Sequence, residues 1–119
     1  MNSAEIFDRN VYDGLVGDLG ADDVAEVLGA FLADTQGKLD RLMTGSFQRE
    51  EVRREAHAIK SSAATFGFVE LSRLAKDAEK SAPALSPDGL REAVGGLQQS
   101  FVQVRRLTET LLPAREIAG

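Results

Sequence analysis

The sequence predicts an all-α fold: an antiparallel up-and-down four-helix bundle with a short extra helix at the N-terminus. Three observations carry this expectation. No proline occurs before Pro83, which leaves room for long uninterrupted helices. Ala, Leu, Glu and Arg are abundant and β-branched runs are missing, a composition that favours helix. Leu90, Val94, Leu97, Phe101, Val104 and Leu111 recur at alternating intervals of four and three, with Thr108 filling one position of the stripe. Such a seam marks a helix lying in a bundle.

The elements follow in order. Ile6, Val11, Leu15 and Leu19 are spaced near four residues apart and predict the short first helix, which Gly20 can stop. "DVAE" then offers Asp23 as an N-cap with Glu26 three residues on, a capping-box pattern. The second helix shows its apolar stripe at Val24, Val27, Leu28, Phe31, Leu32, Leu39 and Leu42, and "TGS" at Thr44 to Ser46 breaks it. A third helix is expected from Phe47 to Phe66, where Gly67 can take the left-handed conformation that ends a helix. Leu71, Leu74, Ala75 and Ala78 mark a fourth. "SAPALSP" reads as a linker, and its Ser86–Pro87 pair supplies an N-cap followed by proline at the first helical position. Gly95 and Gly96 interrupt the last helix at a cost of about 1 kcal/mol each against alanine, which close helix packing would explain better than a hinge.

Composition excludes several classes of function. The 119 residues suit a single domain over 1–119 with one hydrophobic core, and 43% apolar residues argue against general disorder. There is no cysteine and only one histidine, so disulfides, thiolate metal sites and His-rich zinc sites are out. A net charge of −5 lacks the basic footprint of a nucleic-acid binder. The N-terminus is not a secretory signal, and no apolar run approaches the length of a membrane span. No phosphate-binding loop, nucleophilic triad or paired-carboxylate constellation stands out, so no cofactor is expected. The reading is a small, acidic, soluble, cytoplasmic domain.

The single histidine, His57, lies in the third helix. On a wheel of about 100° per residue with His57 at zero, Val52, Ala56, Ile59, Ala63 and Phe66 fall between about 180° and 260°, which is the core stripe. Arg53, Lys60 and Ala64 fall within about 60° of His57 on one side, and Ser61 and Arg54 within about 60° on the other. His57 therefore points away from the core, onto a face of three cations and small residues. A lone histidine on a charged face is usually just a solvated side chain, and a metal ligand would need partners that the sequence lacks. A phosphoryl acceptor uses more of the surroundings. A neutral imidazole is a good nucleophile, and its reference pKa of about 6.5 makes that form available at pH 7. Nearby cations favour the neutral ring and offset the charge of an arriving phosphoryl group. Lys60, three residues on, lies on the adjacent turn, and small Ser61 and Ala64 let another protein come close.

The stretch "AHAIKSSAATFGFVELSRLAKDAE" resembles the signature of histidine-containing phosphotransfer (HPt) domains. Ala56, His57, Ile59, Lys60, the small residues Ser61 to Ala64, Phe66, Gly67 and Leu71 match that pattern over about Arg53 to Lys80. Two positions depart from it: Ser61 stands where glycine is common, and Glu79 stands where a glutamine often bonds the imidazole. Glu79 is read either as a carboxylate that accepts the Nδ1–H and orients the ring or as an ordinary surface glutamate. The Ser61 hydroxyl adds bulk near the ring and can donate to the phosphoryl group.

The resemblance implies a four-helix bundle that carries a phosphoryl group on His57 and has no ATP site of its own: a phosphocarrier rather than an enzyme. The implied partners are the receiver domains of response regulators and hybrid histidine kinases, and a monomer is expected. Lys60 is expected to stabilise the phosphoryl oxygens. Arg53 and Arg54 are weaker helpers or docking contacts, with plain solubility the stronger alternative for both. Ala64 is expected in the docking surface, with Val11 and Leu15 as contributors unless they serve the core. Two other classes stay open: a helical adaptor that is never phosphorylated, and a dimeric kinase-like phosphotransferase, which would be accompanied by an ATP-binding domain.

Overall fold

A computed structural model describes residues 6–45 and 48–111. Five α-helices run through them and no strand occurs among the described residues: α1 Arg9–Leu19, α2 Ala21–Thr44, α3 Arg49–Phe66, α4 Val69–Ser81 and α5 Pro87–Leu111. The four long helices α2 to α5 make a bundle, and α1 lies against α2 and α3. At about 1.5 Å per residue, α2 and α5 each reach most of the molecule's longest dimension of 43 Å. None of the helices is long and apolar enough to cross a membrane among the described residues.

The helix ends follow local chemistry. The Asp8 side chain caps α1 by accepting hydrogen bonds from the Asn10 and Val11 amides at 3.0 and 3.4 Å. Gly20, at φ +89°, ends α1 and also begins α2, so the second helix starts two residues before the expected Asp23 cap. Its positive φ turns the chain at once, and Asp22 and Asp23 fall in the first turn, where their charge complements the helix dipole. Thr44 ends α2 as expected, whereas Ser46 and Phe47, the other residues predicted at this junction, lie outside the described residues. Gly67 ends α3 in the left-handed conformation, φ +85°. The Ser86 hydroxyl accepts from the Gly89 amide at 3.1 Å at the start of α5. The linker before it is partly structured: Ala82–Ala84 form a 3₁₀ turn, and Ala82 is fully buried.

Six aromatic rings fill one part of the core. Phe31 packs on Phe66, Phe68 and Phe101 with centroids 5.2, 5.6 and 6.4 Å apart, and Phe7 sits 5.8 Å from Phe68 and 5.6 Å from Tyr12. Ala56, Ile59, Ala63, Leu71, Ala75 and Ala78 join this cluster. A smaller one gathers Leu42, Val52, Ala82, Leu90 and Val94. The stripe of α5 is buried from Leu90 to Thr108, with Leu111 half-buried. In α1 the stripe is rotated from the expected one: Tyr12 is buried, Leu15 half-buried, and Val11 and Leu19 are exposed, because the Tyr12 ring packs edge-on against Phe7. Val27 is also exposed, so the buried line of α2 runs through Val24, Leu28 and Phe31 alone on that stretch.

The glycine pair in α5 does not serve close packing. A β-carbon added at Gly95 or Gly96 would meet nothing within 4 Å, and Gly96 borders an open groove with Glu70, Leu74, Gln99, Ser100 and Gln103. Gly96→Ala is accordingly expected to stabilise the protein by about 0.5–1 kcal/mol, the helix-propensity difference. Urea unfolding checks this; a destabilised variant would restore the packing explanation.

Candidate functional site

The site grows out of the α3–α4 hairpin. Gly67 and Phe68 make the turn, and the Phe68 amide donates to the Ala63 carbonyl at 3.0 Å. His57 and Glu79 lie the same number of residues either side of Phe68, so antiparallel return of the chain brings them level. Burial of Ala56 and Ile59 on α3 and of Ala75 and Ala78 on α4 then leaves the neighbouring positions, His57, Lys60 and Glu79, along the outer edge of the helix pair. The Ser72 hydroxyl donates to the Lys60 carbonyl at 3.0 Å and fixes the same pairing from within.

His57 is 58% exposed. Its Nδ1 stands 2.6 Å from Glu79 Oε2, and Lys60 Nζ donates to Glu79 Oε1 at 2.8 Å. One carboxylate thus bridges the imidazole and the ammonium. Glu79 is 20% exposed, and the Lys60 hydrogen bond first, then the His57 bond, hold its carboxyl below the ordinary value of 4.5. It is therefore ionised at neutral pH, and an ionised carboxylate can only accept. The proton in the short contact belongs to Nδ1, which leaves Nε2 directed away from Glu79. Of the two sequence readings of Glu79, the ring-contacting one matches this geometry.

The remaining site residues divide. Arg53 is tied to Glu50 through two hydrogen bonds of 2.6 and 3.0 Å, so its charge is largely answered on its own helix. Arg54 is exposed on the other flank. Ser61 and Ala64 are exposed one turn and two turns beyond His57; the Ser61 carbonyl accepts the Thr65 hydroxyl at 3.1 Å. Val11 is exposed and Leu15 packs against the core, so of the two only Val11 is free to contribute to a surface.

Sequence reasoning missed Lys76 and Lys80. Both are exposed on α4, and with Arg53, Lys60 and Glu79 they line a groove of about 390 Å³ beside the ring. Their spacing of i, i+4, with Lys76 three residues before Glu79, was the available signal. Four cations, Arg53, Lys60, Lys76 and Lys80, thus share a groove with Glu79, the carboxylate that contacts the ring, in a chain of net charge −5. An exposed imidazole with Nδ1 held by a carboxylate and Nε2 open is suited to accept an electrophilic anion.

Neither a curated protein nor a solved structure matches the chain. The family model of the Hpt domain matches residues 21–112, the span from the start of α2 to just past the end of α5. This match covers well over half the chain, with the His57–Lys60–Glu79 cluster near its middle, and the protein therefore belongs to the Hpt domain family, whose members are phosphocarriers in two-component signalling rather than kinases.

Proposed function

We infer that this protein is the histidine phosphotransfer component of a phosphorelay, with His57 as the phosphorylated residue. Its partners are the receiver domains of response regulators and hybrid histidine kinases, and it acts as a monomer with the bundle as one domain. The observation that carries this reading is the held Nδ1 and open Nε2 of an exposed imidazole. The Nε2 lone pair attacks the phosphorus of a receiver phospho-aspartate. The P–Nε2 bond forms, the P–O bond to the aspartate breaks, and its electron pair leaves with the carboxylate. A second receiver aspartate then takes the group. Phosphoryl transfer asks mainly for positioning and charge stabilisation, so few catalytic groups are needed on this chain.

Lys60 stands ready for the second of those tasks. Its ammonium already sits one carboxylate away from the ring and can turn to the phosphoryl oxygens when they arrive. A charge-assisted hydrogen bond of this kind contributes about 1.5–3 kcal/mol, so Lys60→Ala should slow transfer roughly tenfold to a hundredfold. Rapid-quench transfer from a phosphorylated receiver measures the effect, with thermal unfolding as the check that the bundle is intact. An unchanged rate would remove Lys60 from the mechanism. The reading as a whole is tested by incubating the protein with a phosphorylated receiver and locating the label: acid-labile phosphate on His57 supports it, and label on no residue or on another residue refutes it.

A further inference from the structure

We propose that Glu79 sets how long the phosphoryl group stays on His57: by keeping a proton on Nδ1 it makes the ring a ready leaving group and the protein a short-lived donor. This rests on the reading of His57 as the phosphorylated residue and goes beyond it, since a carrier of phosphoryl groups could equally be built as a long-lived store.

The argument starts from the 2.6 Å contact between Nδ1 and Glu79 Oε2. Once Nε2 carries the phosphoryl group, the ring can keep or lose its remaining proton. When the P–Nε2 bond breaks, its electron pair returns to Nε2. If Nδ1 still holds its proton, what departs is neutral imidazole; if that proton has gone, an imidazolate anion must leave, which is far less favourable. An ionised carboxylate at hydrogen-bond distance stabilises the protonated, cationic ring, whereas a neutral amide in the same place does so only weakly. The acceptor, a receiver aspartate or water, forms the new P–O bond; an aspartate carries no proton to lose, and attacking water passes its proton to solvent.

The other charges around the ring bear on the same balance. On α3 these are Lys60, Arg54 and Arg53, the last already paired with Glu50, and on α4 Lys76 and Lys80; all are positive and oppose a positive charge on the ring. Among the described residues, no charged side chain of α1 or α2 forms an ion pair with His57. Among the described residues Glu79 is the one carboxylate in contact with it, and so the group that holds the proton there against the surrounding cations. Lys60 shares that carboxylate; as its ammonium turns toward the phosphoryl oxygens, more of the carboxylate's charge is left to the ring.

The test uses the full chain loaded with phosphoramidate, a small phosphoryl donor that needs no docking surface. After the donor is removed, loss of phosphohistidine is followed by ³¹P NMR from mildly acidic to alkaline pH, for the wild type and for Glu79→Gln. Glutamine keeps the size and a carbonyl acceptor but not the charge. The variant's phosphohistidine is expected to last roughly tenfold longer near neutral pH, the difference between a charged and a neutral acceptor. In acid the two lifetimes should converge, because bulk water then protonates both rings. Equal lifetimes at neutral pH, or a ratio that stays constant across the whole range, would overturn the proposal; the second result would assign Glu79 a purely structural role. A wild type that takes up no phosphoryl group from the small donor overturns the identification of His57 as well, which separates the two failures.

Discussion

His57→Gln should take up no phosphoryl group from a phosphorylated receiver, whereas the wild type is labelled under the same conditions. The expectation follows from chemistry and from census. Glutamine has no nucleophilic nitrogen, and the chain contains no second histidine to substitute. The fold should survive the change: the imidazole is more than half exposed and outside the core, so no buried packing is lost with it. Loss of label in a protein that unfolds at the wild-type urea concentration would therefore be a loss of chemistry. Equal labelling of the two proteins would end the proposed function, whatever the family membership says.

The largest effect on stability is expected at Gly67. Its φ of +85° costs most other residues, alanine included, about 1–2 kcal/mol. An added β-carbon would also stand 2.5 Å from the Asp8 carbonyl oxygen and 3.2 Å from the Val11 β-carbon, contacts that cannot persist. The Asp8 amide donates to the Gly67 carbonyl at 2.7 Å, so relief of the clash means pulling α1 away from the α3–α4 turn. Gly67→Ala should lose about 2–5 kcal/mol, the sum of strain and overpacking. Gly67→Asn separates the two causes. Asparagine tolerates the left-handed backbone but carries the same β-carbon, so it should lose only the overpacking share, about 1–3 kcal/mol, in urea unfolding; no loss would mean that backbone strain alone matters there.

Much of this architecture was legible beforehand, and the reason is local. Gly67 and Ser86–Pro87 act through their own backbone chemistry, and the α5 seam repeats often enough to outweigh its two glycines. The features that escaped depend on which residue wins a contest between neighbours. Asp23 has the chemistry of a cap, but Gly20 turns the chain first. Val11 has the right spacing for burial, but Tyr12 finds Phe7. Gly95 and Gly96 carry no side chain that could announce whether a neighbour lies opposite, and none does. For the site, the wheel placed His57 and Lys60 on one face because both belong to α3. That Glu79 touches both depended on the register of the hairpin. Lys76 and Lys80 were passed over because nothing in α4 alone says which groove they border.

The uneven core has a further consequence. Ala56, Ile59, Ala63 and Phe66 beneath the histidine, and Leu71, Ala75 and Ala78 beneath the glutamate, all belong to the larger, aromatic-rich cluster, while Val52, Leu42, Leu90 and Val94 form the smaller one. Proteins open in cooperative pieces, and the piece with less buried apolar contact opens more often. Local opening is thus expected to favour the smaller cluster around Val52, Leu90 and Val94. The 2.6 Å contact between ring and carboxylate rides on the slow part of the bundle, so that its geometry outlasts the breathing of the rest.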